Sequence, residues 1–325
     1  MTLVLYPLIF EPALHARPWG GHELADRLGK ELPPGHPIGE SWEIFWKNRV
    51  ANGEYHGRTL GEVIKMYPKE MAGSASAGEE FPLLVKYLDA QAWLSVQVHP
   101  DDALAKQLEG EPRGKTECWY VIQAAPGAQI AYGLSEKLDA KSLRAAIDAG
   151  RAKEVMQYVS VEAGDFVFVP AGTMHALGPG VLIYELQQTS DTTYRVYDWD
   201  RMGLDGKPRE LHLDKALAVT HFDVNPPAKV NYQMQTVAEG VQVGQLARSQ
   251  YFALDKVTFS QPYKLNTYGT AAHLISAISG HVEWRGSSYL PQMFPQGVSA
   301  LIPAGVGEYT LVPDGEAEIL IGWPT

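Results

Sequence analysis

The feature that most limits what this chain can fold into is its punctuation. Short apolar or alternating runs, rich in Val, Ile, Tyr or Trp, are each bounded by Gly, Pro or Asp. They lie at Phe81 to Leu88, Trp93 to Val98, Glu117 to Gln123, Phe166 to Val169, Val181 to Leu186, Ala253 to Phe259, Leu274 to Ile278 and Ala317 to Ile321. Runs of this length and composition are strands. The 31 Gly and 22 Pro among 325 residues supply turns between them rather than long helices. Helical periodicity is confined to three places. Asp101 or Asp102 caps a helix through Leu108 that Gly110 ends, and Thr59 to Tyr67 is stopped by Pro68. Ser142 to Tyr158 places Leu143, Ala146, Ile147, Val155 and Met156 on one side, although Gly150 interrupts it.

The strand pattern also repeats. Gly164 to His175 echoes Gly297 to Glu308, and Glu117 to Ile122 can be laid over His273 to Ile278. Two copies of one all-β unit account for both echoes, and the length suits about two domains. The expected architecture is mainly β, with two cupin-like jelly-roll domains and a few helices. Residues 1–225 form an N-terminal metal-binding domain with helical insertions. Residues 226–325 form a C-terminal cupin-like domain, and the stretch around Asn225 to Lys229 joins them.

Chemistry concentrates in the first copy. Gln97 and His99 are two apart, so on a strand they project from one face. Glu117 opens another strand, and His175 follows a strand that enters the turn Pro170-Ala171-Gly172. One Gln, two His and one Glu from separate strands offer N and O ligands to a divalent cation, with Zn²⁺ suited to this set. Two His and a carboxylate also describe Fe(II) oxygenase centres, so ligand type leaves the metal open. The second copy would place His273 at the position of Glu117 and Glu308 at that of His175, too few for a metal site. It is read as structural.

Other features narrow the possible partners. A net charge of −11 argues against nucleic acid or an anionic membrane as the main partner. No apolar run approaches the roughly 18 residues needed to span a bilayer. The short segment Leu3 to Phe10 lacks a basic flank and is broken by Pro7, unlike a signal peptide. The chain is expected to be cytoplasmic. Cys118 is the single cysteine, so no internal disulfide exists, and as the neighbour of Glu117 it should face away as a small buried hydrophobe. Gly110 to Thr116 ends like a phosphate-binding loop, but only three residues separate its glycines and a strand follows, so nucleotide binding there is rejected. Lys115, two before Glu117, should point into the same cavity. Arg195, between Tyr194 and Tyr197, suits an oxyanion or phosphate, or else a salt bridge with Asp191 or Asp198.

At these residues the chain resembles the type I mannose-6-phosphate isomerases, especially the compact bacterial class. The resemblance is carried by Trp19-Gly20-Gly21, Gly39-Glu40-Ser41-Trp42-Glu43, Phe81 to Ala90, Leu94 to Asp101, Gly114 to Tyr120 and Ser190 to Arg201. It is strong over residues 5–215 and general beyond. One departure is Phe45-Trp46, where small polar residues are more usual. The resemblance implies a zinc-dependent aldose–ketose isomerase that interconverts mannose 6-phosphate and fructose 6-phosphate through an enediol(ate). It places one Zn²⁺ on Gln97, His99, Glu117 and His175, the catalytic arginine on Arg195, and substrate contacts on Ser95, Lys86, Lys115, Glu185 and Asp191. Lys86 and Lys115 are candidates for the phosphate or for proton handling, and Glu185 or Asp191 could carry the proton instead. An Fe(II)-dependent cupin oxygenase and a non-catalytic sugar-binding cupin are the rival readings. Gln97 and the basic cluster Lys86, Lys115 and Arg195 favour a sugar phosphate over an oxygenase substrate, and the retained full ligand set argues against a non-catalytic cupin.

Overall fold

The computed structural model describes residues 3–74, 80–223, 226–287 and 289–325. Asn225, at the expected domain junction, lies outside them. The strands form four antiparallel sheets. A six-stranded sheet runs in the order Ala13–Gly21, Ile38–Ile44, Leu83–Ala90, Val181–Gln188, Glu117–Ala124, Phe166–Val169. It faces a five-stranded sheet ordered Tyr194–Tyr197, Val96–Val98, His175–Leu177, Gln129–Leu134, Met156–Ser160. Leu88, Trp119, Val121, Ile130, Val169 and Ile183 fill the space between these two. In the C-terminal part, a seven-stranded sheet built on Phe252–Phe259, Ala317–Pro324 and His273–Ser279 faces a four-stranded one. Val257, Ile275, Trp284, Leu311 and Ile319 pack between them.

The two large sheets are apolar on both faces, and that joins the sandwiches. On Val181–Gln188, where every residue is buried, Val181 and Ile183 enter the N-terminal core. Leu182, Tyr184 and Leu186 point the other way, into a core shared with Leu246, Phe252, Leu254, Leu274 and Leu320 of the C-terminal sheet. Cys118 belongs to this shared core and is fully buried, on the face opposite Glu117. The strand Leu8–Ile9 at the chain's start pairs with Leu301 and Ala300, adding an edge to the C-terminal sheet. Helices Ala140–Asp148 and Leu213–Val219 cover the outer face of the five-stranded sheet through Leu143, Ala146, Ala216 and Val219. No helix among the described residues is long and apolar enough to cross a membrane.

The internal echo is visible in the pairing register. Glu117 pairs with Val169, immediately before Pro170-Ala171-Gly172. His273 pairs with Ile302, immediately before Pro303-Ala304-Gly305. Helix Asp102–Glu109 is capped by Asp101, whose side chain accepts from Leu104 N, and ends at Gly110 in the left-handed conformation. Helix Leu60–Met66 begins with a capping box between Thr59 and Glu62.

The helix from Thr59 ends at Met66 with Tyr67 as its C-cap, before Pro68 as expected, and Pro68 then opens a second short helix, Pro68–Ala72, at a position where its missing N–H costs nothing. One helix expectation needs correction: Ser142 to Tyr158 is not one helix. The helix stops at Asp148, Gly150 takes φ +73°, and Met156–Ser160 pairs as a strand with Gln129–Leu134. Val155 and Met156 still reach the same core as Leu143, which is why their spacing mimicked a helical face.

Candidate active site

Register brings the site together. In the five-stranded sheet, Gln97 lies opposite His175 on one side and opposite Arg195 on the other. In the six-stranded sheet, Glu185 lies between Lys86 and Trp119, and Gln187 lies opposite Glu117. Since alternate residues share a face, Lys86, Glu117, Trp119 and Glu185 all point towards the smaller sheet.

The turn before His175 depends on Gly172. Its φ is +83°, and a Cβ there would sit 2.5 Å from the His221 ring. Its N–H donates to the His99 carbonyl at 2.9 Å, tying the two histidine-bearing segments together. Gly172→Ala is therefore expected to destabilise the fold by about 1–3 kcal/mol, the cost of a forced unfavourable backbone. It should also displace His175. Urea unfolding together with metal titration checks both effects.

Three ligand atoms converge. His175 Nε2 lies 3.2 Å from Glu117 Oε1, and His99 Nε2 lies 3.5 Å from Glu117 Oε2. Ligand atoms of His99, Glu117 and His175 all fall within 4.8 Å of one another, and all three residues are buried. Each histidine has its Nδ1 against a main-chain carbonyl at 2.9 Å, that of Thr192 for His99 and that of Thr173 for His175. Donation from Nδ1 fixes the tautomer that leaves Nε2 with its lone pair facing the centre. Both Glu117 oxygens are buried, and neither is satisfied by a well-formed hydrogen bond among the described residues. Two imidazole lone pairs and a buried carboxylate around one point fit a divalent cation. Gln97 is adjacent, its amide nitrogen 3.3 Å from His175 Nε2 and its oxygen accepting from Ser95 Oγ at 3.2 Å. It would join the ligand set only with its oxygen turned to the centre.

A cavity of about 330 Å³ opens beside this cluster. Ser95, Gln97, Lys86, Lys115, Glu185, Asp191 and Arg195 all line it, as do Arg17, Glu40 and Arg209. Lys115 bridges the two regions, with Nζ 3.0 Å from Glu117 Oε2 and 3.2 Å from His99 Nε2. Burial opposes the Lys115 charge, but Glu117 and Glu185 outweigh it and hold the ammonium more firmly protonated than usual. Burial also pushes the Glu117 carboxyl up, yet the Lys115 ammonium outweighs it and holds the carboxyl well below the ordinary range. Glu185 has no such surplus. Burial and the Glu117 charge raise its pKa despite Lys86, 3.5 Å from Oε1. Its Oε2 accepts from Trp119 Nε1 at 3.0 Å, while Oε1 is buried without a hydrogen bond.

Arg195 is not in a salt bridge with Asp191 or Asp198. Arg201 and Arg209 both hold Asp198, each at 2.6 Å. Arg195 donates Nη1 to the Glu210 carbonyl at 2.9 Å and leaves a buried Nε unpaired. Burial and the nearby Arg209 charge lower its pKa from the usual guanidinium value.

Arg17, Glu40 and Arg209 escaped the sequence reading as site residues. Glu40 was within reach, because it alternates with Trp42 on one strand face. Its Oε1 accepts from Arg17 at 2.6 Å and its Oε2 from Trp42 Nε1 at 2.8 Å. Phe45, the unusual residue nearby, packs edge-on against Trp42 at 5.0 Å, and the Trp42 ring lies 4.5 Å from Lys86 Nζ. Arg17 and Arg209 follow no periodic pattern that would single them out. Burial alone would raise the Glu40 pKa, but Lys86 and Arg17 bring it from 4.5 down to about 2. A carboxyl depressed on folding stabilises the protein above its unfolded pKa, and that contribution fades as pH falls from about 4.5 towards 2. Glu40→Gln should flatten this acid limb in unfolding curves taken across that window.

In the C-terminal copy, the expected counterparts do not converge. His273 bonds through Nδ1 to Tyr309 Oη at 2.7 Å, while Glu308 is exposed with Lys264 3.9 Å away.

Residues 8–120 match the family described as phosphomannose isomerase type I, catalytic domain. Mannose-6-phosphate isomerase ManA of Bacillus subtilis is 38% identical over 319 residues, covering 97% of this chain and 98% of its own. The mannose-6-phosphate isomerase of Streptococcus mutans is 41% identical over 276 residues, 84% of each chain. The crystal structure of a mannose 6-phosphate isomerase from Bacillus subtilis superposes with a TM-score of 0.89 at 31% identity, covering 97% of this chain and 99% of that one. Similarity thus extends well into the C-terminal third, further than the motifs alone suggested. The chain belongs to the type I phosphomannose isomerase family.

Proposed function

We propose that this protein is a metal-dependent aldose–ketose isomerase that interconverts mannose 6-phosphate and fructose 6-phosphate. The observation that carries the proposal is the His99–Glu117–His175 cluster beside a cavity with several cations and one buried carboxyl of raised pKa. His99, Glu117 and His175, with Gln97 turned inward, would hold one Zn²⁺. Nitrogen and oxygen donors in a buried set suit that ion. When bound, it would supply Lewis-acid polarisation of the sugar oxygens.

The chain's own groups would do the rest. The reaction moves one hydrogen from C2 to C1 through an enediol(ate), with matching proton shifts on the oxygens, so no oxidant or second substrate is needed. Glu185 suits the carbon-bound proton, because it lines the cavity and a raised pKa makes its carboxylate a stronger base. Lys115, held protonated by Glu117 and Glu185, would act as a hydrogen-bond donor to the substrate oxygens. Arg195 would face negative charge developing on the substrate oxygens, or the phosphate. Ser95, Lys86 and Asp191 would orient the open-chain sugar. A cytoplasmic location suits a sugar-phosphate substrate and a single buried cysteine.

Incubating the metal-loaded protein with mannose 6-phosphate should yield fructose 6-phosphate with no oxygen uptake. Oxygen consumption without isomerisation would identify an oxygenase instead. Ligand binding without turnover would identify a binding protein.

A further inference from the structure

The C-terminal sandwich keeps a cavity where the N-terminal one has its site. The two large sheets align residue by residue through their registers. Asp255 lies opposite Ile321 as Lys86 lies opposite Glu185, and Ile275 lies opposite Ile321 as Trp119 lies opposite Glu185. His273 holds the place of Glu117, and Trp323 that of Gln187. At that place a cavity of about 280 Å³ is lined by Tyr263, Trp323, Ile321, His273 and Asp255. Tyr268 stands at its edge, 80% exposed and held at φ +53°. An exposed aromatic in a left-handed conformation is unusual for a non-glycine residue.

The exchanged residues decide what such a cavity can take. Its lining holds no lysine or arginine, in contrast to the cation-rich first site. Asp255 has its own partner outside the lining, Arg248, at 2.6 Å. Burial brings the His273 pKa down to about 4, so its ring is neutral near pH 7. A phosphate would find no lysine or arginine in the lining and would face a carboxylate, to which the neighbouring Arg248 is already committed. Aromatic rings offer faces for an apolar ring surface. The Asp255 carboxylate and the His273 Nε2 offer edge groups for hydroxyls. Arg248 braces Trp323, with its guanidinium 5.1 Å from the ring centroid. The volume suits a ligand of one ring rather than a larger one.

We infer that the C-terminal cavity is a second binding site, for an unphosphorylated hexose. The test is titration of the zinc-loaded full-length protein with free mannose and free fructose, followed by calorimetry and saturation-transfer NMR, in saturating fructose 6-phosphate. Saturable hexose binding should persist with the first cavity filled. Tyr268→Ala, a change at an exposed position, should weaken it roughly three- to tenfold, the scale of one aromatic contact. His273→Gln should weaken it as well while leaving isomerase turnover unchanged. Absence of saturable binding overturns the inference, as does binding abolished by the sugar phosphate. Equal affinity in wild type and both variants overturns it too.

Discussion

Arg195→Ala is expected to leave the bound metal in place and to slow isomerisation by about 10²–10³-fold, the effect of removing one preorganised oxyanion donor. The reason lies in its lack of a carboxylate partner. Asp198, the nearest acidic candidate by sequence, is already shared by Arg201 and Arg209. Arg195 spends one donor on the Glu210 carbonyl and keeps a buried Nε unpaired in the cavity wall. Leaving a buried polar donor without a partner costs free energy, so its persistence fits a group that meets an anion only in the complex. Arg195→Lys should recover part of the loss, since it restores the charge but not the planar fork. Steady-state kinetics with zinc analysis on the same samples gives the answer. Near-normal kcat in the alanine variant would remove Arg195 from the mechanism.

His175→Ala should have the larger effect, loss of both the ion and the activity. His175 is almost wholly buried, and the Thr173 carbonyl fixes which ring nitrogen faces Glu117. Altering groups that merely orient ligands costs roughly 10–100-fold in metal affinity, and removing a ligand itself should exceed that. A second readout separates metal loss from misfolding. Zinc should raise the unfolding temperature of the wild type by mass action and leave that of His175→Ala unmoved, while the apo forms unfold at similar temperatures. A full zinc equivalent retained by the variant would refute the assignment.

Much of this was legible before any coordinates. Strands announced themselves where both faces of a sheet are covered, as in Val181–Gln188 and Glu117–Ala124, because continuous apolar runs leave few alternatives. The convergence of His99, Glu117 and His175 was within reach because Gln97 and His99 lie two apart at a strand end, Glu117 opens the next strand, and the turn at Gly172 delivers His175 at once. Lys115 was found by the same two-residue rule. What stayed hidden depends on packing between distant segments. Strand Ala13–Gly21 contains Pro18 and several bulged pairings, so it carries no clean period, and Arg17 was lost with it. Arg209 sits outside any strand or helix, and its place in the cavity wall is fixed by its bonds to Asp198. The span from Ser142 to Tyr158 misled because a helix and a strand feed one core at helix-like spacing. That four sheets would stack with the two largest back to back was equally out of reach. Apolar residues on both strand faces imply two covers without naming them.

The central claim is that His99, Glu117 and His175 hold a metal on which sugar-phosphate isomerisation depends. The most direct measurement follows fructose 6-phosphate formation from mannose 6-phosphate in one preparation, as purified, after chelation and after one equivalent of Zn²⁺ is restored. The account predicts that activity disappears with the metal and returns with it. Undiminished isomerisation by protein verified as metal-free would contradict it.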